Sequence, residues 1–255
     1  MTDNDMTTLA DRLCAAAESA RPIPQPGFSM TSTQAYEVQR RLVEKRLASG
    51  ERRLGIKMGL TSKAKMAQVG VDEMSWGRLT DGMCIEDGGS ISRSRMIHPR
   101  AEPEIAFLLK APLKGKVTPL QAWAAVGGVA AAVEIIDSRY ESFKFRAADA
   151  IADNTSSCGV VLGPWFPPTV DVSNLGMILE VNGQAREIGS SAAILGHPSR
   201  SLVAAAELVT RYGGELLAGD ILMSGGATAA VALQAGDRVR LRAETLGGCV
   251  FSIIQ

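Results

Sequence analysis

Apolar residues first recur at helical spacing along this chain and then switch to strand-like alternation. In "TTLADRLCAAAESA", Leu9, Leu13 and Ala16 fall on one helical face, and "RPIPQP" ends the element. A second helix is predicted from Thr31 or Ser32, presenting Tyr36, Val38, Leu42 and Val43 before "ASGERR". After that the period changes. "LGIKMGL" and "MIHPRAEPEIAFLL" read as strands, and "TPLQAWAAVGGVA" as a helix leading into the β-branched "AAVEIID". Asn182-Gly183 marks a hairpin turn, "HPSRSLVAAAELVTRYGG" a helix begun near Pro198, and the C-terminal stretch several strands broken by glycine turns. The pattern predicts an α+β fold. A helical N-terminal segment, residues 1–52, precedes a mixed, β-rich body, residues 53–255, the two forming one continuous unit.

Composition narrows the function. Lys plus Arg equals Asp plus Glu at 27 each, so a zero net charge argues against a nucleic-acid or membrane-surface binder. The start, "MTDNDMTTLADRL", is acidic and has no apolar signal core. The longest uncharged stretches, 117–133 and 221–236, are too short and too rich in Gly and Ala to span a bilayer. Cys14, Cys84, Cys158 and Cys249 are far apart, without zinc-ligand pairing or a disulfide framework. These features predict a soluble cytoplasmic protein with reduced thiols.

The candidate chemistry begins with "RAEPEIAFLLK". As a strand it puts Glu102, Glu104, Ala106 and Leu108 on one face and Pro103, Ile105, Phe107 and Leu109 on the other. Two carboxylates about 7 Å apart repel by roughly 2–3 kcal/mol at an effective dielectric near 20. In "AAVEIIDSRY", Glu134 shares a face with Ala132 and Ile136, so a third carboxylate joins an apolar strand. Three such groups suit a hard divalent cation. Pairing with Arg100 or Arg139 accounts for the same pattern. Lys57 shares its face with Gly59 and Thr61, small neighbours that leave room for a ligand, although a solvated lysine fits the spacing too. "DNTSSCG" (153–159) and "SGGAT" (224–228) offer amides and hydroxyls suited to a small carboxylate or keto acid, or to ordinary turns. Neither matches a phosphate loop. His98 and His197, each followed by proline, read as structural residues, which argues against a hydrolase triad.

The order of "GIKMGLTSKAKMAQVGVD", "SWGRLTDGM", "HPRAEPEIAFLL", "EIIDSRY", "IADNTSS" and "GGATAAVAL" resembles the fumarylacetoacetate hydrolase superfamily. Within it, the chain is similar to the hydratase/decarboxylase family of meta-cleavage pathways, over nearly its whole length. The resemblance implies a fumarylacetoacetate-hydrolase-like body and a Mg²⁺ ion, or Mn²⁺, held by Glu102, Glu104 and Glu134. It places Lys57 and Asp81 in the reaction site, and Ser156 or Ser157 with Gly226 and Thr228 where a substrate carboxylate is held. It further implies a small 2-oxo dicarboxylate substrate, a homo-oligomer, and association with the hydratase of the same pathway. "MSWGRLTDGM" favours decarboxylation over hydration within that likeness. Trp76, Leu79 and Met83 are expected to desolvate the departing carboxylate.

Overall fold

A computed structural model describes residues 1–61 and 73–255, so residues 62–72 of the "GIKMGLTSKAKMAQVGVD" motif lie outside the described residues. Helix α1 (Asp3–Ser19) starts a turn earlier than its apolar spacing suggests. Thr2 and Asp5 satisfy each other's amides in a capping box that recruits the polar first turn. Thr31 and Gln34 start α2 (Ser32–Ala48) in the same way.

The body is built on β1 (Arg53–Gly59), β2 (Ser75–Thr80), β3 (Cys84–Ile85), β5 (Arg100–Leu109), β6 (Val126–Ile136), β7 (Ser157–Leu162), β10 (Ile221–Met223) and β11 (Val231–Ala232). They form one mixed eight-stranded sheet in the order β2-β1-β10-β5-β6-β7-β3, with β11 added to β5. A five-stranded sheet follows the order β4-β13-β12-β8-β9, from Ser90–Ser92, Gly247–Ile254, Arg238–Ala243, Gly176–Val181 and Gln184–Ser190. The β8–β9 hairpin turns at Asn182 and Gly183, which carry the φ angles of 55° and 77° that their sequence anticipates. The helix expected to run into "VGGVA" is shorter. Helix α3 is only Pro119–Ala124, and β6 begins at Val126. Strand pairing claims the glycines, because Val126, Gly128 and Val129 register against β5, and a Cβ at Gly128 would stand 3.3 Å from Trp165.

The large sheet curls until β2 lies against β7, where a Cβ on Gly77 would be 3.0 Å from Ser157 Oγ. The enclosed face holds its own apolar cluster of Leu79, Met83, Ala106, Ala130, Ala132, Val160, Ile221 and Met223. This is a partly closed barrel with a plugged interior. Outside it, one continuous core joins Leu9 and Leu13 of α1, Tyr36, Val38 and Leu42 of α2, Trp76 of β2, and Phe107 of β5 to the second sheet. Helices α4 (Ala147–Ala152) and α5 (Arg200–Arg211) complete the cover. No helix among the described residues is long and apolar enough to cross a membrane.

Candidate active site

The interior face of the barrel carries the carboxylates at one mouth, directly above the apolar plug. Period-two alternation puts Glu102, Glu104 and Ala106 of β5 on this face, together with Ala132 and Glu134 of β6. Register sets Glu102 opposite Glu134 and Glu104 opposite Ala132. One oxygen from each glutamate comes within 4.8 Å of the others. Glu104 and Glu134 are 0% and 1% exposed, while Glu102 is only partly buried and reaches the cleft.

Two compensations are visible. Lys57 Nζ lies 3.0 Å from Glu134, and the lysine is only 3% exposed, which removes the surface reading. Gly225 N–H donates to Glu104 Oε2 at 2.8 Å. This amide needs glycine: its φ is +101°, and a Cβ would collide with Thr61 Oγ1. Even so, these contacts do not offset the burial of Glu104 and Glu134. Burial, then the Glu134 charge, raises the Glu104 pKa well above the carboxylate range. Burial raises that of Glu134 too, against the opposing pull of Lys57. Glu104 Oε1 has no hydrogen-bond partner, and Glu134 Oε1 meets only the Lys57 ammonium, at 3.0 Å. An orphaned buried oxygen among converging carboxylates fits a divalent cation. The alternative of arginine pairing fails here, because Arg139 is engaged by Asp153 and Arg100 stacks on Phe143 with its Cζ 4.3 Å from the ring.

The mouth opens into a cleft of about 1180 Å³. Lys57, Ser156, Gly226 and Thr228 line it. Ser156 sits in a left-handed turn with Asn154 and Thr155, at φ of 59°, 52° and 51°. Asn154 secures this turn to β2 by accepting from Arg78 N–H (2.7 Å) and donating to Arg78 C=O (2.8 Å). Thr155 donates to the Trp76 carbonyl (2.9 Å). Ser157 is buried beside Gly77, outside the cleft lining, so Ser156 is the serine that faces ligand space.

Two expectations need correction. Asp81 does not reach the cleft. It follows β2 at the far end of the barrel, where its carboxylate accepts from Arg52 N–H (2.8 Å) and Arg52 Nε (2.9 Å). These bonds hold its carboxyl below the ordinary range. Trp76, Leu79 and Met83 do not wall the cleft either, since Leu79 and Met83 belong to the plug and Trp76 faces the outer core. The apolar wall comes instead from Met58, Leu60, Met74, Ile136, Phe143 and Phe145. Sequence reasoning also missed Arg100, Lys144 and Arg146 at the cleft, and Gln25 and Ser32 from the N-terminal segment. Arg100 lies two residues before Glu102 on the same strand face, so alternation could have found it. The others depend on how loops fold over the mouth.

Asp137 points away from the carboxylates and accepts the Ile97 amide at 2.8 Å and that of His98, leaving Glu134 as the third member.

Comparison with known proteins agrees with this geometry. Residues 77–254 match the family model for the fumarylacetoacetate (FAA) hydrolase C-terminal domain. The chain is 51% identical over 249 residues to a 4-oxalocrotonate decarboxylase of Pseudomonas sp., covering 97% of each chain. It is 38% identical over 251 residues to a 2-hydroxyhexa-2,4-dienoate hydratase of Comamonas testosteroni, covering 95% of each. The solved 4-oxalocrotonate decarboxylase of Pseudomonas putida G7, complexed with magnesium and adipate, superposes with a TM-score of 0.95 at 38% identity, covering 100% of this chain and 99% of that one. Motif order, barrel and carboxylate mouth thus converge, and the chain belongs to the fumarylacetoacetate hydrolase family, on the branch that holds the decarboxylases and hydratases.

Proposed function

We propose that this protein is a metal-dependent 4-oxalocrotonate decarboxylase of aromatic meta-cleavage catabolism. It converts 2-oxo-3-hexenedioate to 2-hydroxypenta-2,4-dienoate and carbon dioxide. The observation that carries the reading is the mouth itself: three converging glutamates and a buried lysine above an apolar plug. Glu102, Glu104 and Glu134 would hold Mg²⁺ or Mn²⁺. The bound cation supplies a Lewis acid for a 2-oxo acid.

The chain's own residues do the rest. Ser156, Gly226 and Thr228 bind and orient the C1 carboxylate. In the reaction the C5–C6 bond breaks, and its electron pair forms C4=C5. The C3=C4 pair moves to C2=C3, and the ketone pair moves to the C2 oxygen. Lys57 Nζ donates a hydrogen bond to that oxygen as negative charge develops on it, and fixed positive charge there is worth most in a water-poor site. Protonation of the oxygen completes the dienol. Met58, Met74, Phe143 and Phe145 exclude water from the departing carboxylate, while Arg100 and Lys144 bring positive charge to the cleft for a dianion.

Identity favours decarboxylation over hydration, since it reaches 51% with a decarboxylase and 40% with a hydratase. Among the described residues of the cleft there is also no histidine to serve as a water-activating base. Higher-order assembly, with copies of itself and with the pathway's hydratase, belongs to the same reading, as does a cytoplasmic location, where the four free thiols would stay reduced. The test supplies the six-carbon diacid and, separately, 2-hydroxypenta-2,4-dienoate, each with Mg²⁺. Carbon dioxide from the first and slow loss of the second are expected. Rapid hydration of the dienoate without carbon dioxide release would make the protein a hydratase.

A further inference from the structure

Behind β2, on the outer side of the barrel, a pocket of about 180 Å³ opens among α2, β1, β2 and residues 213–215. Val43, Leu47 and Ile56 supply apolar wall, and Arg53, Arg78 and Thr80 supply polar groups. Gly214 closes one side so tightly that a Cβ there would lie 2.9 Å from the Trp76 ring.

Arg78 is the unusual member. Its Cζ stacks 4.4 Å from the Trp76 ring centroid and Nη1 donates to Gln39 Oε1 at 2.6 Å. No carboxylate of the described residues forms an ion pair with it. Its cationic neighbours are already served, Arg53 by Asp220 and Arg40 by Glu37 and Glu44. Burial, and then Arg53 and Arg40, push the Arg78 pKa down to about 10. At neutral pH the guanidinium is therefore charged, partly desolvated and without an ion-pair partner among the described residues, which is an expensive state. Its planar donor fork matches a carboxylate.

We propose that this pocket is a second ligand site, which binds a small monocarboxylate with its oxygens on Arg78 and its short apolar tail against Val43 and Leu47. The volume admits a chain of roughly four or five carbons and excludes large ligands. The site is wired to the mouth. Arg78 N–H donates to the Asn154 side chain, the Arg78 carbonyl accepts from it, and the Trp76 carbonyl accepts from Thr155, so the turn bearing Ser156 is fastened to the strand that bears the pocket.

The test uses Mg²⁺-loaded protein saturated with adipate to occupy the cleft, titrated calorimetrically with butyrate. One butyrate per chain is expected, weakened about tenfold or more in Arg78→Met, since a lost charged hydrogen bond is worth at least that. Leu47 is 39% exposed on the pocket wall, so Leu47→Glu tests the site without disturbing the core. Its own carboxylate should abolish butyrate binding while turnover stays unchanged. Equal butyrate affinity in wild type, Arg78→Met and Leu47→Glu would overturn the proposal. So would butyrate-driven dissociation of an oligomer, which would identify the partner of Arg78 as a carboxylate from another copy.

Discussion

At the barrel mouth Lys57 stands beside three converging carboxylates, and behind β2 one guanidinium pairs with no carboxylate of the described residues. Both regions hold charge in buried or partly buried surroundings, yet they are built differently. The mouth lies on interior faces of central strands, where β5 and β6 register fixes Glu102, Glu104 and Glu134 to a common point. The rear pocket lies on the outer face of an edge strand, against a helix and a glycine turn, and offers one charge amid apolar wall. Convergent like charges need a cation of high valence and fixed geometry. A lone stacked guanidinium needs only a monoanion. Charge excess thus points to the kind of ligand, and the supporting elements set how sharply it is selected.

The largest effect should come from breaking the mouth. Glu104→Gln removes the most buried ligand, and metal affinity and turnover should fall together by about 100-fold or more, while butyrate binding at Arg78 persists. Unchanged metal-dependent turnover in that variant would remove Glu104 from the site. Lys57→Met comes next. It should lower kcat by about 100-fold with a much smaller change in metal affinity, because its contact strengthens as charge reaches the C2 oxygen. A near-wild-type kcat would reduce Lys57 to a structural partner of Glu134.

Metal removal gives a smaller and thermodynamic effect. Saturation to about 100 times Kd stabilises by roughly 2.7 kcal/mol, worth several degrees in Tm for a chain of this size. The pH dependence has a definite sign. Glu104 and Glu134 have raised pKa values in the metal-free fold, so their contribution is fully present below the unfolded-state pKa and is lost as pH rises through the folded one. Metal-free protein should lose Tm over that rise, Mg²⁺ should suppress the loss, and binding should release protons, read by calorimetry in buffers of different ionisation heat. A flat metal-free profile with no proton release would contradict the raised values. Smallest of all, Asp81→Asn should change kcat/KM by no more than a few-fold, since Asp81 serves Arg52 beyond the plug. A loss of 100-fold would return it to the reaction site.

The glutamates were legible because strand alternation is a local rule, and "AEPEIAF" and "AAVEII" satisfy it over apolar partners. The start of α2 at Thr31 or Ser32 and the Asn182-Gly183 hairpin were legible for the same reason, whereas the Thr2–Asp5 box that starts α1 was passed over because its first turn is polar. Asp81 was misjudged because its motif stretch crosses the barrel from mouth to far end, and strand rise carries residues of one short motif to opposite poles. Leu79 and Met83 are apolar either way, and only sheet closure decides that they plug the interior instead of lining the cleft. Closure also brings Phe143, Phe145 and Gln25 to the mouth, through contacts that no local pattern records.

The most direct test of the central claim is the initial rate of carbon dioxide release from 2-oxo-3-hexenedioate as Mg²⁺ is titrated into chelator-stripped protein. The account predicts no turnover without metal and saturation at one ion per chain, with 2-hydroxypenta-2,4-dienoate formed in equal amount. Release that is independent of metal, or a saturable metal response in Glu104→Gln equal to wild type, would contradict it.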